Sequence, residues 1–76
     1  MSKLPLVDVK VLERLLFALE FAKTRQKGSH AFYRHPDGQT TTLPYHAGRV
    51  ISRPLLREIL REIDLTVDEY VKHLGN

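Results

Sequence analysis

Hydrophobic positions in the first quarter of the chain recur at the spacing of one helix face. Between residues 7 and 19 they lie three and four positions apart, at Val11, Leu12, Leu15, Leu16 and Leu19. Asp8 stands before this stripe, where an aspartate side chain can accept hydrogen bonds from the first free amide groups of a helix. The pattern predicts a first helix over residues 7–19 with Asp8 as its cap. Phe17 lies off the stripe, where it serves either rim packing or a partner contact.

The middle of the chain has the residue types of β-strands separated by turns. Lys27 and Gly28 indicate a turn, and residues 36–39 have strong turn chemistry. Pro44 ends the last β-branched run, because proline cannot donate a hydrogen bond to a sheet. We therefore predict a hairpin followed by a third antiparallel strand beside the second. The predicted strands are residues 21–26, 30–35 and 40–43.

Two further helices are predicted in the last third of the chain. The first has an apolar face with helical spacing, formed by Leu55, Leu56, Ile59, Leu60 and Ile63. Ser52 or Arg53 begins this helix, and Pro54 is tolerated in its first turn because an amide there has no helical partner. Thr66 and Glu69 have the spacing of a capping box, which predicts another helix start.

The predicted order is helix, three antiparallel strands, helix and a short C-terminal helix over residues 67–74. A connecting loop at residues 45–51, which holds His46 and Gly48, joins the third strand to the second helix. This order defines an α+β fold in which helices cover one face of a three-stranded sheet. The other face of the sheet is expected to stay open.

Length and composition narrow the classes of protein that fit this pattern. With 76 residues, 42% of them hydrophobic and 28% charged, the chain is expected to form one soluble domain over residues 1–76. No apolar run approaches the ~20 residues of a membrane span, and no secretory signal is recognisable, so the expected compartment is the cytoplasm. Zero cysteines exclude disulfides, thiol catalysis and cysteine-ligated metals. The net charge of +3 favours polyanionic partners.

One segment concentrates residue types that suit a bound phosphodiester. Arg25 and Lys27 can neutralise phosphate charge. Gly28 lets the backbone approach a ligand closely, and Ser29 can donate a hydrogen bond to a phosphate oxygen. His30 follows directly and completes a candidate reaction centre. An ordinary basic hairpin with a histidine at a strand start explains the same composition, so the segment alone leaves both interpretations open.

Other chemistries find little support in the sequence. The four glycines are scattered, so no phosphate-cradling loop is recognisable. His30 and His35 are five residues apart on one predicted strand and face opposite sides of the sheet, so they cannot bind one ion together. We expect no metal site and no cofactor. Phe32 and Tyr33 point in opposite directions, so one is expected to fill the core while the other could stack on a base. We expect Phe32 to be the core residue, and we leave Tyr33 out of the site.

Several segments together resemble the HicA toxin family in order and spacing. They are KLP (residues 3–5), Phe21, RQKGSH (25–30), RHPDG (34–38), PYH (44–46) and LLREILR (55–61). The resemblance implies a double-stranded-RNA-binding-domain-like fold, ribonuclease action on mRNA and inhibition by a HicB-type antitoxin. It also places the catalytic histidine of the family on His30, with Gly28 and Ser29 matching the residues beside it.

The chain departs from the family pattern at three positions where a glycine is usual. Glu20 stands at the end of the first helix, Asp64 stands after the second, and Val9 lies near the start of the first. Aspartate tolerates the left-handed backbone that ends many helices, whereas glutamate is less suited to it. We therefore expect Glu20 to lengthen the first helix by a turn. None of the three positions lies in the expected site.

The expected mechanism begins with His30 taking the proton from an RNA 2′-hydroxyl as that oxygen attacks the adjacent phosphorus. The products would be a cyclic phosphate and a free 5′-hydroxyl, and no metal would be needed. Arg25, Lys27 and Arg34 would stabilise charge in the transition state. The proton donor to the leaving oxygen stays open among His46, His30 itself and water. The expected RNA-binding residues are Arg25, Lys27, Gly28, Ser29, Arg34 and His46.

Two other interpretations of the sequence compete with the nuclease. A non-catalytic RNA-binding module of double-stranded-RNA-binding type would use the same basic hairpin, and an acidic protein could dock on the same surface. Arg53, Arg57 and Arg61 could grip an A-form backbone, although a solvated helix face explains them as well. The expected partners are mRNA and a HicB-type antitoxin, with no membrane, and a homodimer stays open.

Overall fold

The computed structural model describes residues 3–46 and 48–75 and has the expected α+β order. One helix precedes a three-stranded antiparallel sheet, a second helix follows it, and a short third helix comes last in the described residues. No helix in these residues is both long and apolar enough to cross a bilayer. The elements are α1 (Val9–Ala18), β1 (Ala22–Lys27), β2 (His30–Arg34), β3 (Thr40–Pro44), α2 (Arg53–Glu62) and α3 (Val67–Leu74). This order is compatible with a double-stranded-RNA-binding-domain-like fold.

Local capping chemistry sets where the helices begin. Asp8 caps α1, and its Oδ1 accepts a hydrogen bond from the Val11 amide at 3.0 Å, so the helix begins two residues later than residue 7. Ser52 occupies the cap position of α2 without a side-chain hydrogen bond to the helix, and a proline lies in the first turn. Thr66 and Glu69 form the expected capping box, with reciprocal hydrogen bonds of 3.1 and 2.9 Å. The hydrogen bond from the Thr66 backbone amide holds the pKa of the Glu69 carboxyl below its usual range.

The first helix ends earlier than expected, because Glu20 adopts a left-handed backbone with φ of 72°. The Glu20 amide donates to the Phe17 carbonyl and the Phe21 amide to the Leu16 carbonyl, which is the pattern of a Schellman motif. This turn buries Phe21 at the edge of the core. The expectation that Glu20 would lengthen the helix is therefore wrong, since burial of the aromatic ring offsets a strain of about 1–2 kcal/mol.

The second helix ends in the same way, at another position where the family usually has a glycine. Asp64 has a φ of 58°. Its amide donates to the Arg61 carbonyl at 3.1 Å, and the Leu65 amide donates to the Leu60 carbonyl at 2.9 Å. The expectation that aspartate would tolerate this conformation is confirmed.

One face of the sheet packs against the helices and the other is open, as expected. Ala31 and Tyr33 of β2 are buried, whereas His30 and Arg34 of the same strand are exposed. The neighbouring strand repeats this alternation, because Leu43 and the residue two before it are buried. Both α1 and α2 contact β3 on the buried face. The outward residues of the strands therefore form a surface that none of the described helices covers.

The expected orientations of Phe32 and Tyr33 are reversed in the structure. Tyr33 is 1% exposed and lies in the core, whereas Phe32 is half-buried on the open face. Residues two apart on a strand share a face, so an exposed His30 requires an outward Phe32. The placement of Phe32 in the core was wrong for that reason. The buried hydroxyl group of Tyr33 has a hydrogen-bond partner, because the Glu13 carboxylate accepts a hydrogen bond from it at 2.5 Å.

A β-bulge in β1 divides its basic residues between the two faces of the sheet. Arg25 pairs with Phe32 and Lys23 with Tyr33, so Thr24 is the extra residue on the bulged strand. In a regular strand Lys23 and Arg25 would share one face. The bulge turns Lys23 toward the helix side and leaves Arg25 on the open face.

The loop after β3 returns the chain to the start of α1. Val50 forms an isolated bridge with Asp8, and the Ile51 amide donates to the Val7 carbonyl at 2.9 Å. Ile51 is buried in the core. Ala47, which belongs to the connecting loop predicted at residues 45–51, lies outside the described residues.

Candidate nucleic-acid interface

The open face of the sheet carries most of the residues expected in the site. The register places Arg25 and Lys27 of β1 on the same side as His30, Phe32 and Arg34 of β2. A shallow groove crosses this face beside Phe32, bordered by threonines of β3. Among the described strand residues that point outward, none is acidic. They are Ala22, Arg25, Lys27, His30, Phe32, Arg34, Thr40, Thr42 and Pro44.

His30 is exposed at the first position of β2 and lies between two strand neighbours. It pairs with Lys27 on β1 and with Pro44 on β3. Side chains directly opposite on an antiparallel pair have Cβ atoms about 4.5–5.5 Å apart. The imidazole of His30 and the ammonium of Lys27 therefore share one end of the open face and can reach the same phosphate group.

The turn before His30 is held from both sides and leaves its backbone accessible. Gly28 has a φ of +59° at the first position of a two-residue hairpin turn, as a type II′ turn requires. Gln26 donates a side-chain hydrogen bond to the Gly28 carbonyl at 3.1 Å. The Tyr45 amide donates to the Ser29 carbonyl at 2.5 Å. A Cβ built on Gly28 would meet nothing within 4 Å, so a ligand can approach this backbone.

Two expected RNA-binding residues lie farther from this centre. Arg34 is on the same face as His30 but four residues along β2, which is about 13 Å at the rise of a strand. It can contact a different phosphate from the one at His30. His46 is exposed and lies two residues past Pro44, the β3 partner of His30. It therefore stands at the same end of the sheet as His30.

The positions of the histidine side chains bear on whether the protein could bind a metal ion. His35 lies just after β2, and its ring packs against Phe21 with centroids 5.1 Å apart. Within residues 3–46 and 48–75, no three histidine or carboxylate side chains come together as metal ligands would.

Sequence reasoning missed a cluster around Glu13 that supports the site from the helix side. The Glu13 carboxylate accepts hydrogen bonds from the Tyr33 hydroxyl and, at 3.2 Å, from the Tyr45 hydroxyl. Lys23 brings its ammonium to 3.8 Å from the same carboxylate and 4.9 Å from the centre of the Tyr45 ring. Burial raises the pKa of both tyrosines, and the hydrogen bond to Glu13 and the Glu13 charge raise it further. The cluster fixes β2 and Tyr45, whose backbone holds the turn at Ser29.

Replacing Tyr33 by phenylalanine is expected to remove part of the alkaline sensitivity of the fold. The folded-state pKa of Tyr33 is raised, so its contribution to stability is complete below the ordinary tyrosine pKa of about 10 and is lost as the pH rises above it. This contribution changes by at most about 1.4 kcal/mol per pH unit. Urea unfolding of both proteins between pH 8 and about 11 measures the difference. Parallel pH profiles for the two proteins would contradict the expectation.

The arginines of α2 are not part of the open face. Leu56, Ile59 and Leu60 pack α2 against the opposite face of the sheet. Arg53 donates a hydrogen bond to a backbone carbonyl of the N-terminal segment at 2.9 Å, and Arg61 lies 3.2 Å from Glu58. Both interpretations of these arginines, a solvated helix face and a grip on an A-form backbone, stay predictions.

These features define a class of protein: a small α+β domain with a bare, basic sheet face and an exposed histidine at one end. A family model for the HicA toxin of bacterial toxin-antitoxin systems matches residues 9–65, which run from α1 to just beyond α2. The chain therefore belongs to the HicA toxin family. Membership implies an antitoxin as its partner. A comparison with curated proteins gives no match.

Proposed function

We propose that this HicA-family toxin is an endoribonuclease that cleaves mRNA and is inhibited by a HicB-type antitoxin. The observation that carries the proposal is the exposed His30 beside Lys27, on a face of the sheet that the described helices leave uncovered. A proton acceptor and a cation at one accessible point are what cleavage through the 2′-hydroxyl of RNA requires. Cytoplasmic mRNA is the polyanion available to such a surface.

The proposed reaction needs one proton acceptor at its start. The neutral imidazole of His30 takes the proton of a ribose 2′-hydroxyl, and the 2′-oxygen forms a bond to the adjacent phosphorus. The bond between phosphorus and the 5′-oxygen of the next nucleotide then breaks. The departing oxygen gains a proton, which leaves a 2′,3′-cyclic phosphate and a free 5′-hydroxyl. The route uses no metal ion.

Cations and backbone beside His30 would stabilise the charged transition state. Lys27 pairs with His30, and Arg25 lies two residues before Lys27 on the same face. Fixed cations contribute most where charge develops during the reaction. Gly28 and Ser29 bring backbone and a hydroxyl close to the same phosphate. Arg34 would hold a phosphate farther along the strand.

The proton donor to the leaving oxygen has three candidates. His46 stands at the end of the sheet where His30 lies, and its charged form could donate a proton. His30 could return the proton that it accepted. Water can reach the exposed site directly.

An antitoxin would inhibit this site by covering it. The groove on the open face is shallow, so a protein laid across the sheet would exclude RNA without entering a deep cavity. The cationic residues of the face favour an acidic contact surface on that protein.

Cleavage is expected to depend on the 2′-hydroxyl at the cut position. An RNA with a single 2′-deoxy substitution there should lose cleavage at that bond, and DNA of the same sequence should stay intact, because neither offers the attacking oxygen. Mass spectrometry of the products should find a cyclic phosphate and a 5′-hydroxyl, with and without a chelator. Normal cutting of the deoxy substrate would reject the mechanism. Tight RNA binding without any cutting would instead favour the non-catalytic RNA-binding module.

A further inference from the structure

We infer that Phe32 and Arg25 form a stacking site for one unpaired nucleobase next to His30, so that the RNA lies on the open face as a single strand. The inference rests on the proposed function, since the occupant is part of the RNA substrate. It assigns a binding role to two residues of the sheet face and specifies the form of RNA that the face takes.

The first observation is a large aromatic ring on a sheet face that no helix covers within residues 3–46 and 48–75. Phe32 is half-buried and points away from the core, and its cross-strand neighbour on β3 is Thr42. Phe21, by comparison, is buried at the end of α1. A hydrophobic ring amid basic and hydroxyl side chains is typical of a surface that stacks bases.

The second observation is the guanidinium of Arg25, which lies 4.7 Å from the centre of the Phe32 ring. A planar cation over an aromatic face is a favourable arrangement, and a base can stack on either of the two groups. The bulge at Thr24 contributes here, because its side chain donates a hydrogen bond to the Phe32 carbonyl at 3.2 Å. This bond joins the two strands at the pair, and the ring and the cation are already in contact without RNA.

The third observation is the position of this pair relative to the reaction centre. Phe32 follows His30 by two residues on the same face of β2, about 6.6 Å along the strand. The groove continues from Phe32 to Arg34. A base stacked at Phe32 would thus have cations available on both sides for the phosphates that flank it.

The chemistry of this face favours single-stranded RNA over a duplex. A-form duplexes keep their bases stacked inside and are recognised through phosphates and 2′-hydroxyls. The flat face of an unpaired base is free to stack on Phe32 or Arg25, and every base has such a face. The cationic face complements RNA and also an acidic protein, but the unpaired bases of RNA offer the flat faces that stack on both Phe32 and Arg25.

The stacking site can be tested with an RNA that cannot be cut. A 2′-O-methyl oligonucleotide that carries the fluorescent base 2-aminopurine at each position in turn is titrated with the protein. We expect quenching at one position, and Phe32→Leu should abolish it and weaken binding by about 5- to 150-fold. Phe32→Trp should restore both. Phe17→Leu, which alters an exposed phenylalanine on α1, is the matched control and should bind as the unaltered protein does.

Several results would overturn this site. One is that Phe32→Leu quenches the fluorescent base and binds the RNA as the unaltered protein does. Another is that the unaltered protein binds an RNA duplex more tightly than the single strand. A third is that Phe32→Leu still binds RNA normally but no longer binds an acidic protein. Thermal unfolding of each variant checks that it is folded. Because the oligonucleotide is uncleavable, the outcomes are separable: a protein that stacks the base but never cuts RNA refutes only the nuclease, and one that cuts RNA without needing Phe32 refutes only the stacking site.

Discussion

Replacing His30 by alanine is expected to lower the rate of RNA cleavage by about 100- to 10,000-fold, the usual contribution of a general base. His30 is exposed at the start of β2, so its loss removes the proton acceptor and leaves the core unchanged. Binding of an uncleavable RNA should change far less than the rate, because Arg25, Lys27 and Arg34 remain. Single-turnover cleavage and equilibrium binding, measured on the same oligonucleotide, separate the two effects.

The matched control for this prediction is His73→Ala. His73 is exposed in the last turn of α3, away from the open face, and its replacement should leave cleavage unchanged. Expression of each form in bacteria gives a second reading, since only the proteins that cut RNA should arrest growth. Undiminished cleavage by His30→Ala would remove this residue from the mechanism. Equal losses of cleavage and binding would indicate that His30 binds RNA and does not act as a base.

Replacing Leu43 by alanine is expected to lower the free energy of unfolding by about 2–5 kcal/mol. Leu43 is fully buried, pairs with Ala31 and lies on the strand that both long helices contact. A domain of this length has a total stability of roughly 4–11 kcal/mol, so the change removes a large share of it. Urea unfolding at neutral pH measures the loss.

Thr42→Ala is the control for Leu43, because it changes the adjacent residue on the opposite face. Thr42 is half-buried and faces outward beside Phe32, and its replacement should cost about 1 kcal/mol or less. The contrast tests the strand register as well as the packing. A larger loss at Thr42 than at Leu43 would mean that β3 presents the other face to the helices.

The starts of α1 and α3 could be predicted well because they depend on residues only three positions apart. The capping box of Thr66 and Glu69 acts over three positions, and Asp8 caps α1 over the same distance. The end of α1 could not be predicted in this way. Glu20 takes a strained conformation because Phe21 must reach the core, and that requirement comes from the assembled fold.

The sheet was predictable in outline and less so in detail. Turn residues located the strands, but no local signal showed that Thr24 is an extra residue in β1. The partners of Glu13 lie 20 and 32 residues away along the chain, so their hydrogen bonds arise only when the strands and α1 pack. The orientation of Phe32 could have been inferred from its spacing to His30, because an accessible histidine determines which side of β2 faces outward.

The candidate site was predictable as a segment but not as a surface. The residues from Arg25 to His30 are neighbours in sequence, and a two-residue turn keeps them together in space. Arg34 was expected to act with them, although the strand carries it to the far end of the face. The roles of these side chains in catalysis and RNA binding stay predictions.

The bulge in β1 also bears on how ionic strength would affect the protein. Only cations that touch phosphate displace the counterions condensed on a nucleic acid, and their release makes affinity depend on salt. The chain has twelve lysines and arginines, but Lys23 is turned toward Glu13, and Arg61 pairs with Glu58 on α2. The count of twelve cations therefore overstates the ions that binding would displace, since that number depends on the cations facing outward from the strands: Arg25, Lys27 and Arg34.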